Sequence, residues 1–203
     1  MSGVAAQHGK AEAHRLAQRR RILAAAQEQF IESGFHGASM AAIAECAGVS
    51  PGLIYRYFKN KNAIILEIIN EQLAVATQRI REMHSTDDFA SGIIAYFDAH
   101  DDDDYGAMST ALFLEICAEA TRDPEIGKAL AHFDQTVRAE FVDLFQRGRE
   151  QGGYGLDARA ARERALSLVV LLDGIKIRKA REPGLDRGLL RQGVNDLLGA
   201  LDL

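Results

Sequence analysis

"CAGVSPGLIYRYFKNKNAII", residues 46–65, decides how this chain is read. Gly48, Ser50, Pro51 and Gly52 stand within five positions and cannot all sit comfortably inside one helix. Tyr55, Tyr57 and Phe58 follow at once, beside Lys59 and Lys61, and then an apolar run begins. The order calls for a sharp turn and then a short aromatic, basic helix. Ser50 suits an N-cap, and Pro51 falls in the first turn, where a missing N–H costs nothing. Upstream, Ser39 caps another short helix, Met40 to Ala47, which Gly48 breaks.

Two short helices joined by a tight glycine turn form a helix-turn-helix. Ala44 is small where the helices cross, and Ile43, Val49 and Ile54 point into the seam between them. In such a unit the second helix lies in the major groove, with its N-terminal residues near base edges. The exposed set on that helix is Pro51, Leu53, Tyr55, Arg56 and Tyr57, with Gly52 among them. Tyrosine hydroxyls donate to phosphates, and arginine pairs with phosphate or guanine. Lys59 and Lys61 lie just beyond and add phosphate contacts, while Ser39 and Ser50 mark helix starts whose N–H groups favour anions. Arg19 to Arg21 read equally well as a solvated face or as an arm that reaches phosphate.

Charge divides the chain in the same place. Up to Lys61 eight basic residues face four acidic ones, a balance of +4; a net charge of -5 then leaves -9 for the rest. A basic head that meets polyanions and an acidic body that does not is the arrangement expected, divided at 1–62 and 63–203, with a basic N-terminal arm.

The 203 residues, 47% hydrophobic and with only three prolines, fit one domain or two closely packed ones. Helix formers dominate and no alternating strand pattern occurs, so the fold class is all-α, with about nine helices. The first runs from about Arg15 to Ser33, with Ile22, Leu23, Ala26 and Phe30 on its buried face and Gly34 as its C-cap. After the two short helices, a fourth begins near Asn60 and passes Arg79. Phe89, Ile93 and Phe97 mark a fifth, Ala107 to Glu119 a sixth, and Asp123 and Pro124 start a seventh that reaches Gln151. Ala158 to Ala180 and Leu189 to Leu201 complete the series.

Several function classes lose their support here. The N-terminus lacks an apolar signal core, and the longest apolar run, Leu166 to Leu172, is far short of the roughly 20 residues of a membrane span. Cys46 and Cys117 are isolated, as expected for a reduced, cytoplasmic protein with no membrane partner. "GYGLDA", residues 153–158, spells a dinucleotide fingerprint but follows a helix end rather than a strand, so a helix cap is the better reading. The six histidines form no i, i+4 pair and no Glu-x-x-His occurs, which removes the di-iron ligand pattern. Asp101 to Asp104 could hold a divalent ion but reads more readily as a solvated loop and the acidic start of a helix. No cofactor, metal centre or enzymatic activity is expected.

"FIESGFHGASMAAIAECAGVSPGLIYRYFKNKNAIILEII", residues 30–69, resembles the DNA-binding head of the TetR family of transcriptional regulators. The resemblance runs without a gap from Arg19 to Ile69 and includes Gly48, Val49, Ser50, Gly52, Tyr55, Tyr57, Phe58 and Lys61. Ala41 and Ala42 depart from the polar pair the family often carries on the second helix. "EICAEATRDPEI", "FQRGREQGGYG" and "LLDGIKIRKAREPGLD" are similar to members with a helical ligand-binding body. The resemblance implies a homodimeric repressor that leaves a double-stranded DNA operator when a small-molecule effector binds. The alternative is a helical small-molecule-binding protein or enzyme with a degenerate head.

The body supplies candidates for the two remaining roles. Leu166, Val169, Val170 and Leu172, then Leu190, Val194, Leu197 and Leu201, give the last two helices more apolar surface than one face needs, as a dimer interface would. Phe89, Ile93, Phe97, Met108, Phe113, Ile116, Phe133, Val137, Phe141 and Phe145 can line an apolar cavity for a ligand. Glu115, Asp173 and His132 are the polar groups expected to reach inside, which favours a cationic or hydroxylated apolar compound over an anion.

Overall fold

The computed structural model describes residues 2–83, 92, 108–182 and 184–201. Among these lie eight α-helices: α1 (Ser2–Gly37), α2 (Met40–Cys46), α3 (Pro51–Tyr57), α4 (Lys61–Glu82), α5 (Thr110–Ala120), α6 (Pro124–Gln146), α7 (Ala158–Arg181) and α8 (Arg187–Ala200), with a single 3-10 turn at Arg149–Gln151. The all-α expectation holds. The helix expected around Phe89, Ile93 and Phe97 and the run Asp101 to Asp104 lie outside the described residues.

The chain forms two compact units. The first holds Met1–Ile68 and Leu114–Gly127; the second holds Ile69–Phe113 and Lys128–Leu203. The division falls inside α4 rather than at residue 62, and the first unit also takes part of α5 and the first turn of α6. Three helices therefore contribute residues to both units.

In the first unit, α1 begins well before Arg15, and its buried face starts only at Ile22. Ile22, Leu23, Ala26 and Phe30 recur every three or four residues and are all but inaccessible, each large side chain contributing about 1.5–3 kcal/mol by leaving water. Gly34, at φ 71° and ψ 162°, interrupts the helical backbone where the C-cap was expected. α2 packs against α1, and α3 against α2. Ile43, Ala44, Ile54, Phe58, Ile64, Ile65 and Ile68 are buried in the same unit.

The second unit has its own core. Phe141, Leu144 and Phe145 of α6 meet Ala161, Ala165, Leu168 and Ile175 of α7, Val194 and Leu198 of α8, Ile80 of α4, and Tyr154. Phe145 and Tyr154 pack edge to face at 5.3 Å. Arg81 of α4 forks onto Glu140 of α6, with Nε 2.8 Å from Oε2. "GYGLDA" is a turn and cap, as expected: Asp157 accepts from the N–H groups of Arg159 and Ala160 at 2.8 and 2.9 Å. Those two bonds, Ala160's the larger, hold its carboxyl below the usual range.

Candidate nucleic-acid interface

The helix-turn-helix is built from its caps inward. Ser39 Oγ accepts from Ala42 N–H at 3.0 Å, and Ser50 Oγ from Leu53 N–H at 3.3 Å. Between them, Gly48 N–H donates to Glu45 O and Val49 N–H to Ala44 O, both at 2.9 Å. This reciprocal pair closes α2 and needs a left-handed residue, which Gly48 supplies at φ 60°. A Cβ there would also stand 2.9 Å from Arg21 Nη2. Arg21 itself donates to Ala47 O at 2.6 Å, so it ties α1 to the turn.

This framework orients α3. Ile54 is wholly buried while its neighbour Tyr55 is 58% exposed. With Ile54 locked inward, the opposite face presents Pro51, Gly52, Tyr55 and Arg56 to solvent, and Lys59 follows just beyond the helix. Leu53 and Tyr57 are half-buried at its edges. Ser39 and Ser50 are exposed, each with its hydroxyl hydrogen still free to donate.

Lys61 is a correction. Its ammonium donates to the carbonyls of Phe35 and Ala38, the latter at 2.7 Å, and lies 4.7 Å from the centre of the Phe35 ring. It satisfies the end of α1 rather than facing outward for phosphate. Burial pushes its pKa down, and the charge of Glu119 opposes that. Arg19 is likewise engaged, 2.6 Å from Glu67 and over the Phe58 ring at 5.5 Å. Of the three adjacent arginines, Arg19 is half-buried, while Arg20 and Arg21 are exposed.

Acidic groups of α5 and of the cap before α6 belong to this head, which sequence reasoning missed. Glu115 Oε2 accepts from Phe35 N–H at 3.1 Å, and buried Glu119 lies 3.3 Å from His36 Nε2. Asp123 caps α6 through the N–H groups of Glu125 and Ile126 and accepts from Asn62. The partners are about 60 to 80 residues apart, so no local pattern announces them. Glu115 is therefore not a cavity group, and Ile116, fully buried in the first unit, is core there.

The other ligand candidates fall in the second unit. Met108, Phe113, Phe133 and Val137 are partly buried, while Phe141 is deep in the core cluster. His132 is exposed. Lys176 lies 4.1 Å from the centre of the Phe113 ring and 3.8 Å from Asp173 Oδ1. Burial pushes the Asp173 carboxyl up, against the pull of Lys176. Asp134, although partly open to solvent, is pushed up by desolvation and then by the charge of Asp173. Phe89, Ile93 and Phe97 lie outside the described residues.

The dimer candidates separate by exposure. Leu166, Val170 and Leu197 are 49%, 62% and 50% exposed, and Leu189 and Ile177 join them at 68% and 44%. Val194 is buried in the chain's own core, a correction, because its side of α8 meets α6 and α7. Val169 and Leu190 are partly buried against that core, and Leu201 is half-buried.

Among the described residues no helix is long and apolar enough to cross a membrane, and no three His, Cys, Asp or Glu side chains could hold a metal ion. Residues 22–68 match the family described as bacterial regulatory proteins, tetR family, and residues 86–202 match the BetI-type transcriptional repressor C-terminal family. The HTH-type transcriptional regulator UidR of Escherichia coli K12 is 37% identical over 139 residues, 66% of this chain and 67% of UidR. The structure of GusR from Salmonella enterica superposes with a TM-score of 0.70 at 29% identity, covering 93% of this chain and 97% of that one. A regulator from Saccharomonospora viridis, solved in complex with choline, has a TM-score of 0.69 over 89% of this chain and 95% of its own; at 23% identity it speaks for the fold alone. The two matches together cover the helix-turn-helix head and the helical body that follows it, and the chain belongs to the TetR family of DNA-binding transcriptional regulators.

Proposed function

We propose that the protein is a homodimeric repressor that reads an operator with α3 and releases it when a small ligand enters the second unit. The observation that carries this reading is the contrast on α3: Ile54 fully buried, Tyr55 58% exposed, with Arg56 and Lys59 on the open side. The match to a BetI-type repressor body favours repression over activation. Ser39, Ser50, Pro51, Gly52, Leu53, Tyr55, Arg56, Tyr57 and Lys59 form the DNA surface. Leu166, Val170, Ile177, Leu189 and Leu197 form the dimer face, because a helix apolar on two sides is covered on two sides. Two copies then offer recognition helices to half-sites about 34–36 Å apart, or a multiple of that.

Met108, Phe113, Phe133 and Val137 are the apolar contacts for the effector, with Asp173 reached from Phe113 through Lys176. Asp134 and Asp173 stand against the cations of Lys176 and Arg138, so the local charge balances, and a hydroxylated apolar compound that can bond to both kinds of group is favoured. Because α4, α5 and α6 each carry residues of both units, a ligand that favours one setting of these helices changes the head as well. The effector must bind the released state more tightly, since equal affinity shifts nothing. The test is a mobility shift on the DNA upstream of the protein's own gene. Tyr55→Ala and Lys59→Ala each weaken binding by about 1–3 kcal/mol, with a shallower salt slope for Lys59→Ala. Unchanged affinity in both folded variants rejects the reading.

A further inference from the structure

Arg15 lies on the part of α1 that precedes its buried face. Glu12 grips its guanidinium with both oxygens, Nη2 at 2.8 Å from Oε1 and Nε at 3.2 Å from Oε2. The two side chains are 64% and 54% exposed, so this bidentate pair stands open to whatever approaches. One helical turn later Arg19 lies over the ring of Phe58, the residue that closes α3. Residues four apart share a helix face. Arg15 thus continues the Arg19 face of α1, the side that meets Phe58 at the end of α3. A cation from outside the motif is placed at the edge of the surface that carries Tyr55, Arg56 and Lys59.

We propose that Arg15 is a further DNA contact, its guanidinium taking a backbone phosphate beside the groove that α3 enters, and that Glu12 occupies this fork in the free protein. The inference rests on reading α3 as the recognition helix. A carboxylate and a phosphodiester offer the planar guanidinium the same pair of oxygens. Glu12 therefore holds Arg15 extended and ordered, but must give way when phosphate arrives. The carboxylate left behind also repels the backbone. Glu12 weakens the complex that Arg15 strengthens, and the two effects are coupled through one fork.

Phosphate contacts carry no sequence information, so the test needs no operator. The full-length protein is titrated by fluorescence anisotropy against a mixed-sequence duplex of about 30 base pairs, across a salt series. Arg15→Ala weakens binding roughly threefold to tenfold and lowers the salt slope by about one. Glu12→Gln tightens binding, and loses most of that gain when combined with Arg15→Ala. Arg15→Lys, which keeps the charge and loses the fork, falls between wild type and Arg15→Ala. Lys59→Ala is the control. Weakening by Lys59→Ala with none by Arg15→Ala, or a Glu12→Gln gain that persists in full without Arg15, overturns the proposal and leaves the α3 reading standing. Affinity unchanged in both Lys59→Ala and Arg15→Ala rejects the α3 reading and this proposal with it.

Discussion

A Cβ added to Gly52 would meet nothing within 4 Å, and its backbone needs no positive φ. The folded chain has no use for a glycine there. Gly48, four residues earlier, differs on both counts: φ is 60° and a Cβ would stand 2.9 Å from Arg21. The two alanine variants should therefore behave in opposite ways. Gly48→Ala lowers thermal stability by about 1–2 kcal/mol through left-handed strain, and more if Arg21 cannot yield. Gly52→Ala keeps or raises Tm, since glycine in a helix costs about 0.5–1 kcal/mol relative to alanine. Yet Gly52→Ala should weaken duplex binding, because in the proposed docking of α3 the added methyl faces the groove. Thermal melts and anisotropy on both variants check this; a Gly52→Ala protein that binds DNA as wild type does removes Gly52 from the interface. Gly48 was legible in the sequence as a turn, but its contact with Arg21 was not, since the two lie far apart along the chain.

Helix ends are the elements the sequence states most clearly, because a cap is a local bargain between one side chain and the next three N–H groups. Ser39, Ser50 and Asp157 all cap where their sequence context places them. Asp157 adds a pH dependence. Its carboxyl titrates below the usual range in the folded chain, so its stabilisation is fully present above the unfolded pKa of about 3.9. That contribution is lost as pH falls through the lower folded value, where the unfolded chain no longer differs from the folded one in protons bound. Asp157→Ser keeps a cap without a charge. Its Tm should fall less than that of wild type between neutral pH and pH of about 3. Equal acid sensitivity in melts of the two proteins would show that the α7 cap does not contribute to acid unfolding.

At the scale of the whole molecule, α7 has two apolar faces with different fates. Ala161, Ala165, Leu168 and Ile175 are buried within the chain, while Leu166, Val170 and Ile177 are not. Leu166→Glu combined with Val170→Glu should leave Tm within a few degrees, turn the dimer into a monomer by light scattering, and abolish operator binding, since one recognition helix alone makes half the contacts. Val194→Ala does the reverse: it lowers stability by on the order of 2 kcal/mol by emptying core space, and leaves the protein dimeric. A double variant that remains dimeric moves the interface elsewhere.

The sequence by itself determined the all-α class, the helix-turn-helix, most helix boundaries and the basic face of α3. Each depends on residues within one or two turns of each other, where periodicity, capping and glycine placement act directly. Only the tertiary structure decided which cations are free. Lys61 looks like a phosphate ligand in the sequence, and Arg19 and Arg21 read equally well as a solvated face or a phosphate-reaching arm, yet all three are engaged by carbonyls, a carboxylate or an aromatic ring. It also turned Glu115 and Ile116 from pocket candidates into parts of the head, and Val194 from interface into core. These outcomes depend on which segments meet in space. A side chain's charge and apolar area are written in its type, but the partner that satisfies them is chosen by packing between residues dozens of positions apart.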